Sequence, residues 1–339
     1  MKLASKALLL ALLSGCGDGR TLDEIVTFPE TSSLEPRVAA ALEAARDKVE
    51  SDPRDVIAWR NLGAVLDAHR FTPPAESAYR EALRLEDGDP WTSYQLAIVL
   101  EMTSKNPEES LELFEVARAG FPALPFPLIH TGRVLDAQGN SEGARDAYLE
   151  AVKIDGRQPL LRRALGQVYL DLGENAQAIE QLERAVGLAR KTDGPTWAAL
   201  AQAYERTGAS DKAVRARELA AKNGNTLISP DPLRSLVSTL GVSSKITLER
   251  GIGRMSAGDY RGAAADLAIA AEQRPSDPWL QLRLATCFQE LRNPAQAREH
   301  FELALSAKGE LNGANSRDDL VEFNAALQRY QKKYLPSGG

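Results

Sequence analysis

The sequence predicts an all-α protein, a solenoid of about seven stacked helical hairpins closed by a capping helix at each end. An alanine recurs along the chain at successive separations of 35, 34, 34, 35, 50 and 34 residues. A bulky apolar residue stands three positions before each alanine, except where Arg217 replaces it. A period near 34 residues is typical of stacked hairpins and not of a closed helical bundle. The recurring residues are Ala82, Ala117, Ala151, Ala185, Ala220, Ala270 and Ala304.

The composition is that of an ordinary soluble chain, and its charge disfavours some partners. Among 339 residues, 26% are charged, and the formal net charge of −6 becomes −8 once Lys2 and Lys6 are removed with a leader. An acidic chain without a basic block argues against nucleic acid as a partner. It also has no electrostatic attraction to an anionic lipid surface.

The first residues predict a secretory signal peptide over residues 1–15. Lys2 and Lys6 supply the positive charge, and an apolar run over residues 7–13 is too short to span a bilayer. Its end, Leu13-Ser14-Gly15-Cys16, resembles the bacterial lipoprotein lipobox. The resemblance implies acyl chains on Cys16 that anchor an exported protein to the cell envelope. The alternative is an ordinary secreted protein with a free cysteine.

The residues after Cys16 bear on which membrane would hold the anchor. Gly17 occupies the place at which an aspartate typically retains Gram-negative lipoproteins in the inner membrane, and Asp18 follows one position later. This arrangement favours the outer membrane, facing the periplasm, if the source is Gram-negative. The polar stretch over residues 16–36 predicts a flexible tether.

The array itself divides into segments of predicted structure. An amphipathic pattern over residues 37–51 predicts an N-terminal capping helix. Repeats one to five follow over residues 54–223, and repeats six and seven over residues 244–310. A loop over residues 306–316 precedes a C-terminal capping helix over residues 317–334, which an open solenoid end needs.

Glycine, alanine and aromatic residues recur within the array at fixed offsets. Gly139, Gly173, Gly208 and Gly258 are expected to end first helices in the left-handed conformation. Gly63, Gly132 and Gly166 are expected to let two helices approach closely. The first repeat carries the full pattern in Trp59, Leu62, Gly63, Leu66, Ala75, Tyr79 and Ala82. This pattern resembles the tetratricopeptide repeat, which implies a right-handed α-solenoid that holds a protein or an extended peptide.

Two stretches depart from the repeat. Residues 121–127 form a proline-rich apolar connector that is expected to pack on its neighbours rather than to bind a ligand. The longer departure is an insertion over residues 224–243, in which Asp231 caps a short helix with Pro232 in its first turn. Its apolar face comprises Leu233, Leu236, Val237 and Leu240. One interpretation is a plug over the end of repeat five, and the other is a partner-binding or groove-covering element.

The sequence offers no constellation for chemistry. His69, His130 and His300 lie on different repeats, and Gly251-Ile252-Gly253 lacks the third glycine of a dinucleotide-binding loop. Cys287 lies among apolar residues and is expected to be a buried thiol without a partner. We therefore predict no enzyme activity, no metal and no cofactor.

Binding in this family uses the concave wall, which the first helix of each hairpin forms. The resemblance places eight polar residues there, two from each of four repeats, against the alternative of an unoccupied solvated wall. They are Arg60, Asp67, Arg133, Asp136, Arg163, Gln167, Gln202 and Arg206. Such a mixed polar set suits the backbone and termini of an extended peptide. Ala64 and Gln167 stand where receptors for chaperone tails carry asparagine, which disfavours that ligand.

The predicted function is a lipid-anchored scaffold of the bacterial cell envelope that binds another protein or peptide. The process would be envelope assembly, secretion or cell-wall regulation. The alternative is a receptor for peptidoglycan, another glycan or a small ligand.

Overall fold

The computed structural model describes residues 20–189, 193–224, 231–312 and 317–335, which form helices and turns. Contacts divide the chain into two compact units. The first unit includes the chain up to Pro29 and Ala44–Ser238, and the second includes Glu30–Glu43 and the chain from Thr239. The predicted signal peptide and Cys16 lie outside the described residues. Within those residues, no helix has both the length and the apolar character that a membrane crossing needs.

The first unit consists of five helical hairpins, in agreement with the predicted fold class. Two helices precede the hairpins, α1 (Leu22–Ile25) and α2 (Pro36–Ser51), and the second of these belongs partly to each unit. The hairpin helices are α3 (Val56–Ala68), α4 (Thr72–Leu85), α5 (Pro90–Thr103), α6 (Pro107–Gly120), α7 (Phe126–Ala137), α8 (Ser141–Ile154), α9 (Pro159–Asp171), α10 (Asn175–Leu188), α11 (Gly194–Arg206) and α12 (Ser210–Lys222).

The second unit contains two further hairpins and a terminal helix. A 3-10 turn, Pro232–Arg234, and α13 (Ser235–Leu240) connect the hairpins of the first unit to those of the second. The helices of the second unit are α14 (Ser244–Ala257), α15 (Tyr260–Gln273), α16 (Pro278–Glu290), α17 (Pro294–Ser306) and α18 (Arg317–Tyr334). On α18, Phe323, Leu327 and Tyr330 are buried in one cluster with Phe301 and Leu282. The terminal helix therefore covers apolar side chains of the last repeat.

Side chains and glycines fix where the helices begin and end. Asp55, Asp89 and Asp193 each cap a helix, because the carboxylate accepts a hydrogen bond from a backbone N–H of the first turn. At the other end of the first helices, Gly139 and Gly173 both have φ +76, the left-handed value that was predicted. Only glycine adopts this conformation without strain.

Glycine at the hairpin crossing permits the close packing of an aromatic ring. A Cβ atom built on Gly132 would lie 2.5 Å from Cε1 of Tyr148, and one on Gly63 would lie 2.6 Å from Cδ1 of Tyr79. Both rings are buried. The predicted close approach of the two helices is therefore confirmed, and each ring fills the space that a larger residue would occupy.

Two segments differ from the sequence-based expectation. Instead of the flexible coil predicted over residues 16–36, the described residues 20–29 fold within the first unit, and Val26 is only 1% exposed. Arg46 donates a 2.9 Å hydrogen bond to Asp23, and its guanidinium lies 4.9 Å from the centre of the Phe28 ring. Burial of a few apolar side chains thus outweighs the polar composition. Within the predicted loop over residues 306–316, Ala307–Asn312 forms 3-10 turns.

Candidate functional site

A cavity of about 730 Å³ lies in the first unit, on the first helices of its hairpins. Residues of α7, α9 and α11 line it, together with Ile98 of α5 and two residues of the insertion, Asp231 and Arg234. Phe126 belongs to the proline-rich connector, which packs into the core cluster as predicted, and it also lines the cavity, which the prediction did not include. The apolar lining comprises Ile98, Phe126, Ile129, Leu160, Leu161, Ala164, Pro195 and Ala199.

Four of the eight polar residues predicted on the concave wall meet in this cavity. Arg133 and Asp136 project from α7, and Arg163 and Gln167 project from α9. Each pair is separated by about one helical turn, so both members lie on the same face of their helix. These four residues add two guanidinium groups, a carboxyl group and an amide to the apolar lining, beside Asp231 and Arg234 of the insertion.

A shared carboxylate orients the groups on α7. Oε1 of Glu101 lies 3.1 Å from Nε of Arg133. The other carboxylate oxygen, Oε2, lies 2.6 Å from Nδ1 of His130. The His130 ring stacks on Phe114 at a centroid distance of 5.4 Å. Arg133 lines the cavity and remains 57% exposed in its side chain.

A second carboxylate orients the guanidinium on α9. Arg163 donates a hydrogen bond of 2.9 Å from Nη1 to Oδ2 of Asp193. That oxygen also accepts hydrogen bonds from the backbone N–H of Thr196, at 3.0 Å, and from its hydroxyl group. Asp193 is almost completely buried. The guanidinium is therefore held by a rigid helix terminus, and it keeps further donors for a ligand.

The carboxyl group in the cavity is easier to protonate than an ordinary aspartate. Burial, followed by the charge of the nearby Asp171, raises the pKa of Asp136. Gln167 donates a hydrogen bond of 3.3 Å from its amide to Asp171. Because desolvation penalises the charged form, a cationic or N–H-donating ligand would relieve the cost that Asp136 bears.

Three other predicted wall residues are placed differently. Arg60 is engaged in ion pairs with Glu86 at 2.7 Å and Asp89 at 2.8 Å, outside the cavity lining. Gln202 and Arg206 are exposed on α11 and do not line the cavity. Arg206 donates a hydrogen bond to the carbonyl oxygen of Leu170 instead. The guanidinium groups of Arg60 and Arg206 are thus paired with oxygen atoms of neighbouring residues.

The insertion explains the position of Asp67, the remaining predicted wall residue. Arg234 donates a hydrogen bond to the carboxylate of Asp67, which is buried beneath it. The segment Asp231–Arg234 is thus anchored on α3 and α5, in repeats one and two. This position of Asp231–Arg234, on repeats one and two, is the one that the groove-covering interpretation of the insertion expects.

Sequence reasoning missed the carboxylates that orient the site. Glu101 lies in the last turn of α5, in repeat two, from which no wall residue is predicted, and Asp193 lies just before the first residue of α11. His130 is not among the predicted wall residues, yet it stands three positions before Arg133 and so shares its helical face. That spacing was a usable signal in the sequence.

Cys287 and His300, which the sequence analysis considered for chemistry, lie in packed surroundings. Within the part of the chain that the structure describes, no group of three or more His, Cys, Asp or Glu side chains could hold a metal ion. Cys287 is buried, as predicted, and burial raises the pKa of its thiol to about 11. His300 stacks on Phe288 at 5.2 Å and serves in packing.

Two stretches of the chain, residues 130–196 and residues 254–310, match family models described as tetratricopeptide repeat. The chain therefore contains tetratricopeptide repeats, a class of helical scaffold that binds proteins or peptides and is generally non-catalytic. Among curated proteins, cellulose synthase operon protein C of Xanthomonas axonopodis pv. citri (strain 306) is similar. It is 26% identical over 275 residues, which cover 77% of this chain but 17% of that protein.

Several solved structures are similar in their backbone. YrrB, described as a TPR protein with an unusual peptide-binding site, is 19% identical with a TM-score of 0.47, covering 59% of this chain and 99% of that one. PilW, described as a widely conserved type IV pilus biogenesis factor, is 16% identical with a TM-score of 0.49, covering 55% of this chain and 86% of that one. MamA is 20% identical with a TM-score of 0.46, covering 49% of this chain and 90% of that one.

Proposed function

We propose that this protein is a lipid-anchored scaffold of the bacterial cell envelope that binds an extended peptide segment of another protein. The cavity on α7, α9 and α11 is the observation that carries the proposal. It places Arg133, Asp136, Arg163 and Gln167 around an apolar floor. Such a floor accepts side chains, while the polar groups pair with the backbone, which makes peptide the ligand that fits best.

Preorganisation of the polar groups supports this function. Glu101 and Asp193 hold the two guanidinium groups in place before a ligand arrives, so little side-chain entropy is lost on binding. The cavity presents a negative charge as well as positive ones, because the carboxylate of Asp136 accepts no hydrogen bond from the described residues. A peptide that offers a carboxylate or carbonyl groups to the arginines and an N–H or cationic group to Asp136 satisfies the site.

Binding is tested by capture of a partner with charge-reversed variants. The purified wild-type protein and the variants Arg133→Glu and Arg163→Glu are used to capture partners from solubilised envelopes of the source bacterium. We expect one defined protein to be enriched by the wild type and reduced at least about tenfold by either reversal, since a lost charged hydrogen bond weakens binding by this order. Arg215→Glu, on α12, is the matched control. Capture that resists both cavity reversals would contradict the assignment of the groove.

The lipid anchor rests on the sequence Leu13-Ser14-Gly15-Cys16 and on the chemistry of acylation. More than one acyl chain on Cys16 would give stable membrane attachment. We expect the wild type in the membrane fraction and Cys16→Ser in the soluble fraction of the same cells. A Ser14→Ala variant, which keeps the cysteine, is the control. Unchanged fractionation of Cys16→Ser would refute the anchor. If the anchor is confirmed, separation of inner from outer membranes identifies the membrane that holds the wild-type protein.

Co-sedimentation with purified peptidoglycan separates peptide binding from a glycan receptor. The scaffold proposed here stays in the supernatant when sacculi are free of protein. Sedimentation that Arg163→Glu abolishes would instead identify a glycan ligand in the same cavity and would overturn the peptide assignment.

A further inference from the structure

We propose that the groove stretch on α3 and α5 is a second peptide-binding site, occupied in cis by Asp231–Arg234. Its external ligand would be an extended peptide that carries an aspartate, a leucine two positions later and then an arginine. This deepens the proposed function, because it names the peptide chemistry that the concave wall recognises. The inference rests on the proposed function in one respect, namely that peptides bind to the concave wall.

The segment is held through its main chain, as a peptide ligand is. The side-chain amide of Gln95 donates a 2.7 Å hydrogen bond to the backbone carbonyl of Leu233. The Leu233 side chain is buried in the core cluster that contains Tyr94, Ile98 and Phe126. A backbone hydrogen bond beside a side-chain socket is the usual combination by which a groove binds an extended chain.

Charged and polar side chains flank the socket and set the sequence preference. Arg234 donates hydrogen bonds from Nη1 to Asp67 and to the amide oxygen of Gln95. On the other side, the hydroxyl group of Tyr94 donates a 2.6 Å hydrogen bond to Oδ2 of Asp231. Acid, leucine and arginine therefore each have a dedicated partner on the wall.

The receptor groups on α3 and α5 are buried polar groups that need a ligand. Gln95 is completely buried, and both of its amide hydrogen bonds go to the inserted segment. Asp67 is 7% exposed and has only a 3.5 Å contact from the Tyr79 hydroxyl besides Arg234. Unpartnered polar groups in such positions are costly, so the stretch is stable only while a peptide of matching chemistry fills it.

The resident segment and the open cavity are continuous along the wall. Asp231 and Arg234 contact α3 and α5 and also line the cavity on α7, α9 and α11. A segment of the same chain competes at an effective concentration on the order of millimolar. An external peptide must therefore displace it, and a partner that occupies both stretches gains contacts that one confined to the cavity lacks.

The test measures binding of a fluorescent peptide with the sequence of Asp231–Leu240. Fluorescence anisotropy is recorded with the wild type and with an opened variant, Leu233→Ala with Arg234→Gln, whose cis segment lacks its anchors. We expect the opened variant to bind at least about tenfold more tightly, because the competent state is no longer depleted. A peptide with glutamate in place of its arginine should bind at least about tenfold more weakly.

A charge exchange identifies the site, and Asp67→Arg is introduced into the opened variant for this purpose. It should lose the natural peptide and gain the peptide that carries glutamate in place of arginine. Arg215→Glu, on α12 and outside both stretches, should leave binding of the natural peptide unchanged. The charge exchange at Asp67 reports on this stretch, whereas partner capture by Arg133→Glu and Arg163→Glu reports on the cavity, so failure of the cavity proposal and failure of this one are distinguishable. No binding to a folded opened variant, or equal binding of a scrambled peptide, would overturn the inference.

If the opened variant does not fold, the wild type provides the measurement. The natural peptide at millimolar concentration should accelerate amide hydrogen exchange in residues 231–238, and a scrambled peptide should not. Unchanged exchange with the natural peptide would overturn the inference.

Discussion

Arg163 and Asp193 form a charged hydrogen bond of 2.9 Å that joins α9 to the N-terminus of α11. The same carboxylate caps α11, because it accepts the backbone N–H of Thr196. One buried aspartate therefore starts a repeat and orients a guanidinium of the candidate site. Asp193 therefore contributes both to the stability of α11 and to the position of Arg163 in the candidate site.

Removal of this carboxylate should be more costly than removal of an ordinary cap. Loss of an N-cap costs about 1 kcal/mol, and loss of charged hydrogen bonds adds about 1.5–3 kcal/mol. We expect Asp193→Ala to lower the free energy of unfolding by about 2–4 kcal/mol in urea denaturation followed by circular dichroism. Asn140→Ala, which removes the exposed cap of α8, is the control and should cost about 1 kcal/mol. Equal losses in the two variants would contradict the double role.

Two glycines of α14 should respond in opposite directions to alanine. A Cβ atom on Gly251 would lie 2.8 Å from Cγ of Leu267, whereas one on Gly253 would have no neighbour within 4 Å. We expect Gly251→Ala to destabilise the protein by about 1–3 kcal/mol through overpacking. Gly253→Ala should stabilise it by about 0.5–1 kcal/mol, since alanine loses less backbone entropy. Thermal and urea denaturation measure the change in the free energy of unfolding for each variant. Changes of the same sign in the two variants would refute the packing argument.

The thiol of Cys287 should be unreactive in the folded protein. Burial raises its pKa to about 11, so almost none is thiolate at pH 8, and the side chain is also inaccessible. In a Cys16→Ser background it is the sole cysteine of the chain. We expect an aromatic disulfide reagent to react at least about a hundredfold faster in 6 M guanidinium than in buffer, because access and thiolate formation both require unfolding. Comparable reaction rates in buffer and in guanidinium would show that the Cys287 thiol is accessible in the folded protein.

The carboxyl group of Asp136 should give the protein a specific dependence on pH. Its pKa is raised in the folded state, by burial and then by Asp171, so folding carries a cost for the ionised form. That cost is absent below about pH 3.8, grows as the pH rises through the folded pKa and stays constant above it. We expect Asp136→Asn to be more stable than the wild type at pH 7.

The control for this prediction is the same comparison at low pH, followed by urea denaturation. The advantage of Asp136→Asn should disappear below pH 3.8, because the wild-type carboxyl group is then protonated in both folded and unfolded chains. A variant that is less stable at pH 7 would show that Asp136 has a stabilising partner.

The hairpins are predictable from the sequence because the same pattern of small and large residues recurs in each repeat. Gly132 and Tyr148 illustrate a small residue that faces a large one, and Gly139 marks the end of a helix because glycine favours the left-handed conformation found there. Such features are local, so their meaning does not depend on the rest of the fold. The spacing of the alanines then sets the number of hairpins.

The site was only half predictable, because its decisive contacts are distant in sequence. The resemblance to the repeat family predicts the face of α7 and α9, and it places Arg133 and Arg163 on one wall. The partner of Asp67 is Arg234, 167 positions later, and no periodicity connects the two. A projection of the wall therefore treats Asp67 as open, although the insertion has already filled its place.

Site-specific photo-crosslinking in living cells tests the central claim most directly. A photoreactive residue replaces Gln167 in the cavity or, as control, the exposed Val214 on α12. Our account predicts a crosslink from position 167 to one peptide segment of one envelope protein, lost when Arg163→Glu is added, and no such product from position 214. The same products from both positions, or a product at position 167 that survives Arg163→Glu, would contradict it.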